Sequence, residues 1–365
     1  MVKYLTRGMY PSHTIKIQNW SIGVSIKWTS GGQIMEVFKR TALAFSMLAL
    51  VLPLLTGCQD ENSGLITVIF AGTEGATTGQ SRMMTESAEI LNNSGRFNAR
   101  VFVSGALGDT DNLVTQARLG VHYVIPSDPG RLASQFNIPD LNILMAPYVL
   151  MDPQVLARLP ATDIYQEWQA KLELQGVSLV ANMFNGFRNF YTTTPVRQLK
   201  DLRGLRIRGF GNDIGQALAT SLGFTQITMS ATEIYPSIQM QALDGAEIQL
   251  STADSYRFFE VAPYLALTRH FMLQSSFVVG TPFLNSMSDE DREFFLQVMY
   301  DMAVKWTGII ASEEADYIKN FSNNGGQVFE VDIAEFERAV APLNENNTLN
   351  FTPGLQERLI RELGL

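Results

Sequence analysis

Short apolar runs alternate with stretches of helical spacing along most of the chain. Leu65 to Phe70 is a β-branched run ended by the loop Ala71-Gly72-Thr73-Glu74-Gly75, and a helix is predicted over 80–91, stopped by Asn92-Asn93-Ser94-Gly95. Phe97 to Val103 alternates as a second strand. Asp109 to Asp111 opens another helix, Gly120 ends it, and Val121 to Ile125 reads as a third strand closed by Pro126-Ser127-Asp128-Pro129-Gly130. Further strands are predicted over 142–145, 177–183 and 190–192. This β-α-β rhythm predicts an α/β protein with a mainly parallel sheet.

The stretch from Lys200 to Leu250 is the most informative. In Leu205-Arg206-Ile207-Arg208 successive side chains alternate, so two arginines share one face of a short strand. Gly209 to Gly211 break it, and Asn212-Asp213 open a helix carrying Ile214, Ala217, Leu218 and Leu222. Ser230-Ala-Thr-Glu233 is a capping box, and Asp244-Gly245 turn the chain into a strand over 246–250. From Ser288 to Phe321 the apolar spacing predicts one helix of about thirty residues, ended by Asn323-Asn324-Gly325-Gly326. The tail from Ala334 reads as helical, broken by Pro342 and Pro353. No repeat or flexible linker separates domains, so two lobes would be joined through strands, as in a hinged cleft.

The net charge is −9, yet residues 1–57 hold six Lys/Arg against Glu36 alone, so the remainder carries −14. No basic run is present to bind nucleic acid. A small anionic ligand is compatible with this balance, because charges beyond about 8 Å are screened at physiological salt. Near the start, Lys39-Arg40 precede an uncharged run from Thr41 to Leu55, the layout of a secretory signal and short for a membrane span. Leu55-Thr56-Gly57-Cys58 resembles the bacterial lipobox, whose cysteine is acylated, and Cys58 is the only cysteine. An ordinary membrane anchor or an unmodified signal are the alternatives. The expected division is 1–34 as an extension preceding a start at Met35, 35–57 as lipoprotein signal, and 58–64 as tether.

Catalytic signals are sparse. There is no GxSxG, HExxH or P-loop, and His13, His122 and His270 lack partners at metal-binding spacing. The GxGxxxG of Gly209 to Gly215 would suit a dinucleotide, but the strand before it carries Arg206 and Arg208 where a buried parallel strand is normally apolar. No enzymatic activity, cofactor or metal is expected.

Nine segments in order resemble the solute-binding proteins of TRAP (tripartite ATP-independent periplasmic) transporters: Ser104 to Gly108, Ala146 to Asp152, Asn185-Gly-Phe-Arg188, Pro195, Asp201 to Arg208, Glu233-Ile-Tyr235, Gln241 to Glu247, Phe259-Glu-Val261 and Leu267-Thr-Arg-His270. The resemblance implies a two-lobed periplasmic-binding-protein-like fold with a ligand cleft between lobes and a long bridging helix. Lobe 1 would comprise 65–185 plus about 274–315, and lobe 2 186–273 plus about 316–365. It implies capture of a carboxylate-bearing organic acid by lobe closure, with delivery to TRAP integral membrane subunits at the extracytoplasmic face, the periplasm, where Cys58 would anchor the protein by lipid. A chemosensory binding module, or a nucleotide-dependent α/β enzyme, are the other readings. The family's selectivity arginine falls on Arg208 and a second ligand arginine on Arg188; Tyr235, Glu247, Ile248, Thr73 and His270 complete the expected ligand set. Arg206 is expected to be solvated. Ile248-Gln249 stand where the family has Asn-Pro, Ala231 where it often has an aromatic, and Arg269 where Asn is common, so the ligand is expected to differ from a simple C4-dicarboxylate.

Overall fold

The computed structural model describes residues 64–365 apart from Phe210 and residues 346–347. The extension, signal and lipidation site expected before residue 64 lie outside the described residues. The strands are β1 (Ile66–Ala71), β2 (Phe97–Phe102), β3 (Tyr123–Ser127), β4 (Val177–Thr192), β5 (Arg206–Arg208), β6 (Thr225–Ile227), β7 (Gly245–Gln249), β8 (Tyr264–Leu267), β9 (Met272–Gly280) and β10 (Gln327–Glu330). The helices are α1 (Gly79–Asn93), α2 (Thr110–Arg118), α3 (Pro129–Phe136), α4 (Asp163–Glu173), α5 (Asp213–Leu222), α6 (Ala231–Gln239), α7 (Leu250–Ser255), α8 (Thr281–Asn285), α9 (Asp289–Asn323), α10 (Ile333–Glu345) and α11 (Leu355–Leu363).

The main path of the sheet runs β2-β1-β3-β9-β4-β7-β5-β6, with β8 pairing β4 and β10 pairing β8. It is mixed rather than mainly parallel. Parallel pairs flank the path (β1 with β2 and β3, β5 with β6 and β7), but β9 runs antiparallel to β3 and β4, and β4 runs antiparallel to β7 and β8. These returns are what weld the two βαβ units of the fold into one body.

The strands expected over 177–183 and 190–192 are one sixteen-residue strand, because Gly186-Phe187-Arg188 is absorbed rather than looped out. Register shifts between Leu179 and Ala181 and between Phe184 and Gly186 accommodate the passage. Pairing with β9 ends at Phe187 and pairing with β7 begins at Arg188. Residues 142–145, expected as a strand, belong to a 3-10 helix over Pro139–Met145 that Pro139 initiates.

The long helix α9 has thirty-five residues, capped by Ser288, whose side chain accepts from Asp291 N, with Asp289, Glu290 and Asp291 in its positive first turn. It packs on both α1 and β4. Thr307 Oγ1 accepts from Phe184 N at 3.1 Å and Glu314 Oε1 accepts from Phe187 N at 2.8 Å. Two side chains seven residues apart on one helix face thus take up strand amides on either side of the register shift. In α10, Pro342 lies inside the helix instead of ending it.

Candidate ligand cavity

The carboxyl ends of β1, β3, β5 and β7 converge on a cavity of about 110 Å³, the place where open α/β sheets bind ligands. Arg188, Arg208 and Arg131 reach its wall, and Thr73, Glu74, Ile248 and Gln249 face them from the loop after β1 and the end of β7. A hollow of about 450 Å³ adjoins it and shares Asp128, Arg131 and Arg208.

The three arginines differ in what they already hold. Arg188, 2% exposed, donates from its guanidinium to both carboxylate oxygens and the carbonyl of Glu247, and from Nη1 to Gln249 Oε1 at 3.1 Å. Arg131 pairs with Asp111 at 2.9 Å and with Asp128 at 3.4 Å. Arg208 forms no ion pair among the described residues; its Nε donates to Met229 O at 3.2 Å, which fixes the plane of the fork and leaves both terminal nitrogens uncommitted. Burial first, and then the repulsion of Arg188, draw its pKa down to about 10. The guanidinium stays protonated at neutral pH in surroundings that disfavour its charge, a deficit that a bound carboxylate would relieve.

Behind Arg188 lies a buried relay. Burial alone would raise the Glu247 carboxyl, but the charge and hydrogen bonds of Arg188 and the hydrogen bond of His270 bring it to about 2. His270, fully buried, meets Glu247 Oε1 through Nε2 at 3.0 Å and Thr268 Oγ1 through Nδ1 at 2.8 Å, and stacks on Phe190. Burial lowers its pKa against the pull of Glu247, so the neutral ring donates from Nε2 to the carboxylate and accepts from Thr268.

Of the expected ligand set, the structure brings Arg208, Arg188, Thr73 and Ile248 to the cavity wall. Glu247 and His270 stand behind it, because the bond to Arg188 consumes the Glu247 carboxylate. Tyr235 is elsewhere: its hydroxyl donates to Glu260 at 2.7 Å beside a separate surface hollow that also includes Arg206 and Asp244. Arg206 is exposed and pairs with Asp244 at 2.8 Å. Asn212 caps α5 by accepting from Gly215 N at 3.0 Å, so Gly209 to Gly215 form a turn into a helix.

Arg131 and several polar wall residues escaped the sequence reading, Glu74, Asn185 and Gln274 among them. Glu74 lies in the loop after β1; its Oε1 accepts from Asn185 Nδ2 and Gln249 Nε2, both at 2.9 Å, and burial raises its pKa against those bonds. Its one signal was a carboxylate in a glycine-bounded loop at the end of a strand. Asn185 sat unremarked within the motif that contains Arg188, and Gln274 carried no signal at all. Gln249 stands one place beyond Ile248, so an amide remains on the wall although the expected position is apolar.

The sequence profile of the bacterial extracellular solute-binding proteins, family 7, matches residues 74–348. The chain belongs to this family. Its members bind solutes and are not enzymes. The sialic acid-binding periplasmic protein of Vibrio cholerae is 26% identical over 72% of this chain and 81% of its own. A TRAP periplasmic solute-binding protein of Actinobacillus succinogenes, with bound L-galactonate, superposes with a TM-score of 0.77 at 25% identity, covering 82% of this chain and 99% of that one. A TRAP solute-binding protein of Fusobacterium nucleatum with bound sn-glycerol-3-phosphate shares the fold at a TM-score of 0.75 and 20% identity, covering 82% and 97%. The match to the family places the present chain among extracytoplasmic solute-binding proteins, and the solved structures share its fold.

Proposed function

We propose that the chain is the receptor of a TRAP-type transporter, that it captures a carboxylate-bearing solute between its two lobes, and that its closed form docks on the membrane subunits. The uncommitted fork of Arg208 at the cavity wall carries this reading. A bidentate carboxylate offers two charge-assisted hydrogen bonds of about 1.5 to 3 kcal/mol each, a large part of the roughly −8 kcal/mol of micromolar binding. The sialic acid and L-galactonate of the two relatives bear carboxylates, which supports an organic acid here; the glycerol phosphate of the third is anionic without one. Arg208→Lys keeps the charge but removes the fork, and is expected to weaken binding of the acid about tenfold or more by calorimetry. Unchanged affinity would remove Arg208 from the site. We place the protein at the membrane through a lipid on Cys58; mass spectrometry of membrane-extracted protein should show an acylated N-terminal Cys58, and a free Gln59 or an unmodified Cys58 would exclude the anchor.

A further inference from the structure

The loops that end the strands of the two sheet halves meet at two places beside the cavity. At the first, Gly75, next to the wall residue Glu74 after β1, faces Ser255, the last residue of α7 after β7. A Cβ on Gly75 would stand 2.6 Å from Ser255 Oγ and 3.8 Å from Ser255 Cβ, and among the described residues beyond its chain neighbours it would meet nothing else within 4 Å. Thr77 Oγ1 donates to the same Ser255 Oγ at 3.3 Å. At the second, Gly130 at the start of α3 after β3 faces Asn212, which caps α5 after β5. A Cβ on Gly130 would stand 2.5 Å from Asn212 Nδ2, whereas Met145 Sδ and Asp128 Oδ1 on its own side are looser at 3.3 and 3.4 Å. Both short distances lie under the 3.0 Å that a Cβ keeps from other atoms. Neither glycine has a positive φ, so the backbone at these positions admits other residues and what demands glycine is the approach of the opposite loop. The ion pairs Arg188–Glu247 and Arg131–Asp111 each lie on one side of this gap.

We propose that Gly75 and Gly130 are positioning residues that set how far the two halves close, and so set the affinity for any ligand without touching it. This rests on capture by closure as proposed above. Each contact exists only while the halves are together, so a side chain at either glycine holds them apart and leaves the interior of each half as it was. Apparent affinity scales with the fraction of molecules able to close, and the loss is therefore the same factor for every ligand. A substitution in the cavity wall acts differently, weakening each ligand according to the groups it presents.

The test uses the full chain, unfolded and refolded to strip bound solute. Gly75→Cys with Ser255→Cys sets two Cβ atoms 3.8 Å apart, the mean separation across a disulfide. Oxidation should join residues 75 and 255, read by peptide mapping, and small-angle X-ray scattering should give the oxidised protein a smaller radius of gyration than the reduced, ligand-free one. Failure to bridge, or equal radii, would show that closure does not bring these loops together and would overturn the proposal. Calorimetry with L-galactonate and D-glucuronate then reads the glycines. Gly75→Val and Gly130→Ala should each weaken both acids by one common factor of about ten or more. The ligand-free melting temperature of Gly75→Val should stay at the parent's. Asn212→Ser keeps an oxygen to cap α5 but removes the amide, and should restore the affinity of Gly130→Ala. A lowered ligand-free melting temperature in Gly75→Val would assign that glycine to the fold, and unequal losses for the two acids would assign it to the ligand site; either overturns the proposal, as does unchanged affinity in both variants. If neither acid binds the parent, it is the acid assigned to Arg208 that fails, and the cross-link and its radii decide alone on the two glycine contacts.

Discussion

Glu247 shows how a buried charge can shape a cavity wall from behind it. Its carboxylate holds the Arg188 guanidinium in a fixed plane and neutralises it, so Arg208 is left, among the described residues, as the cation of the cavity wall without an ion pair. Glu247→Gln is expected to cost about 3–5 kcal/mol of stability, read as a lowered midpoint in thermal unfolding, because it leaves a buried guanidinium uncompensated. The pH dependence has a definite sign. The folded-state pKa is about 2 and thus below the ordinary 4.5, so the stabilisation is complete above about pH 4.5 and is lost as pH falls toward 2. Glu247→Gln should flatten that acid limb. The resemblance to the family singled out Arg208, whereas alternation alone set Arg206 on the same face of the strand. The sequence could not disclose which of three arginines would stay unpaired, since the partner of Arg188 is set by the pairing of Arg188 with Gln249 across β4 and β7, a register between residues sixty-one apart.

Among the elements, α9 and β4 meet at the point where β4 leaves β9 for β7, and Glu314 is the clasp. Burial raises its pKa to about 7, opposed by the Phe187 amide and the field of Arg269. A carboxyl that holds its proton more tightly when folded favours the fold at low pH, so this contribution falls as pH rises from about 4.5 to 7 and is level above. Glu314→Gln keeps an acceptor for Phe187 N and removes the titration. The variant's melting temperature should therefore change less than the parent's between pH 5 and pH 8, and parallel curves would refute the assignment. Apolar periodicity made α9 legible almost to its ends, since a single long helix with an acidic first turn has few alternatives. The unity of β4 was not legible, because Gly186 reads as a breaker in isolation. Its φ of +110° is tolerated here within a strand whose freed amides α9 takes up.

At the scale of the molecule, each half of the sheet is completed by residues far along the chain. β9 stands between β3 and β4, and β10 closes the edge beyond β8. A fragment ending at residue 192 lacks β9 and is expected to stay unfolded by circular dichroism, and residues 64–365 should melt in one calorimetric transition. Two independent transitions would show that the lobes are separable. The same arrangement has a consequence in time. Neither half can close its sheet until the chain as far as β9 or β10 has emerged, and folds dominated by such distant pairings form slowly. A nascent chain of this design therefore remains extended for longer than a helical bundle of its size, the state in which a polypeptide can be threaded through a narrow membrane pore before it folds on the far side.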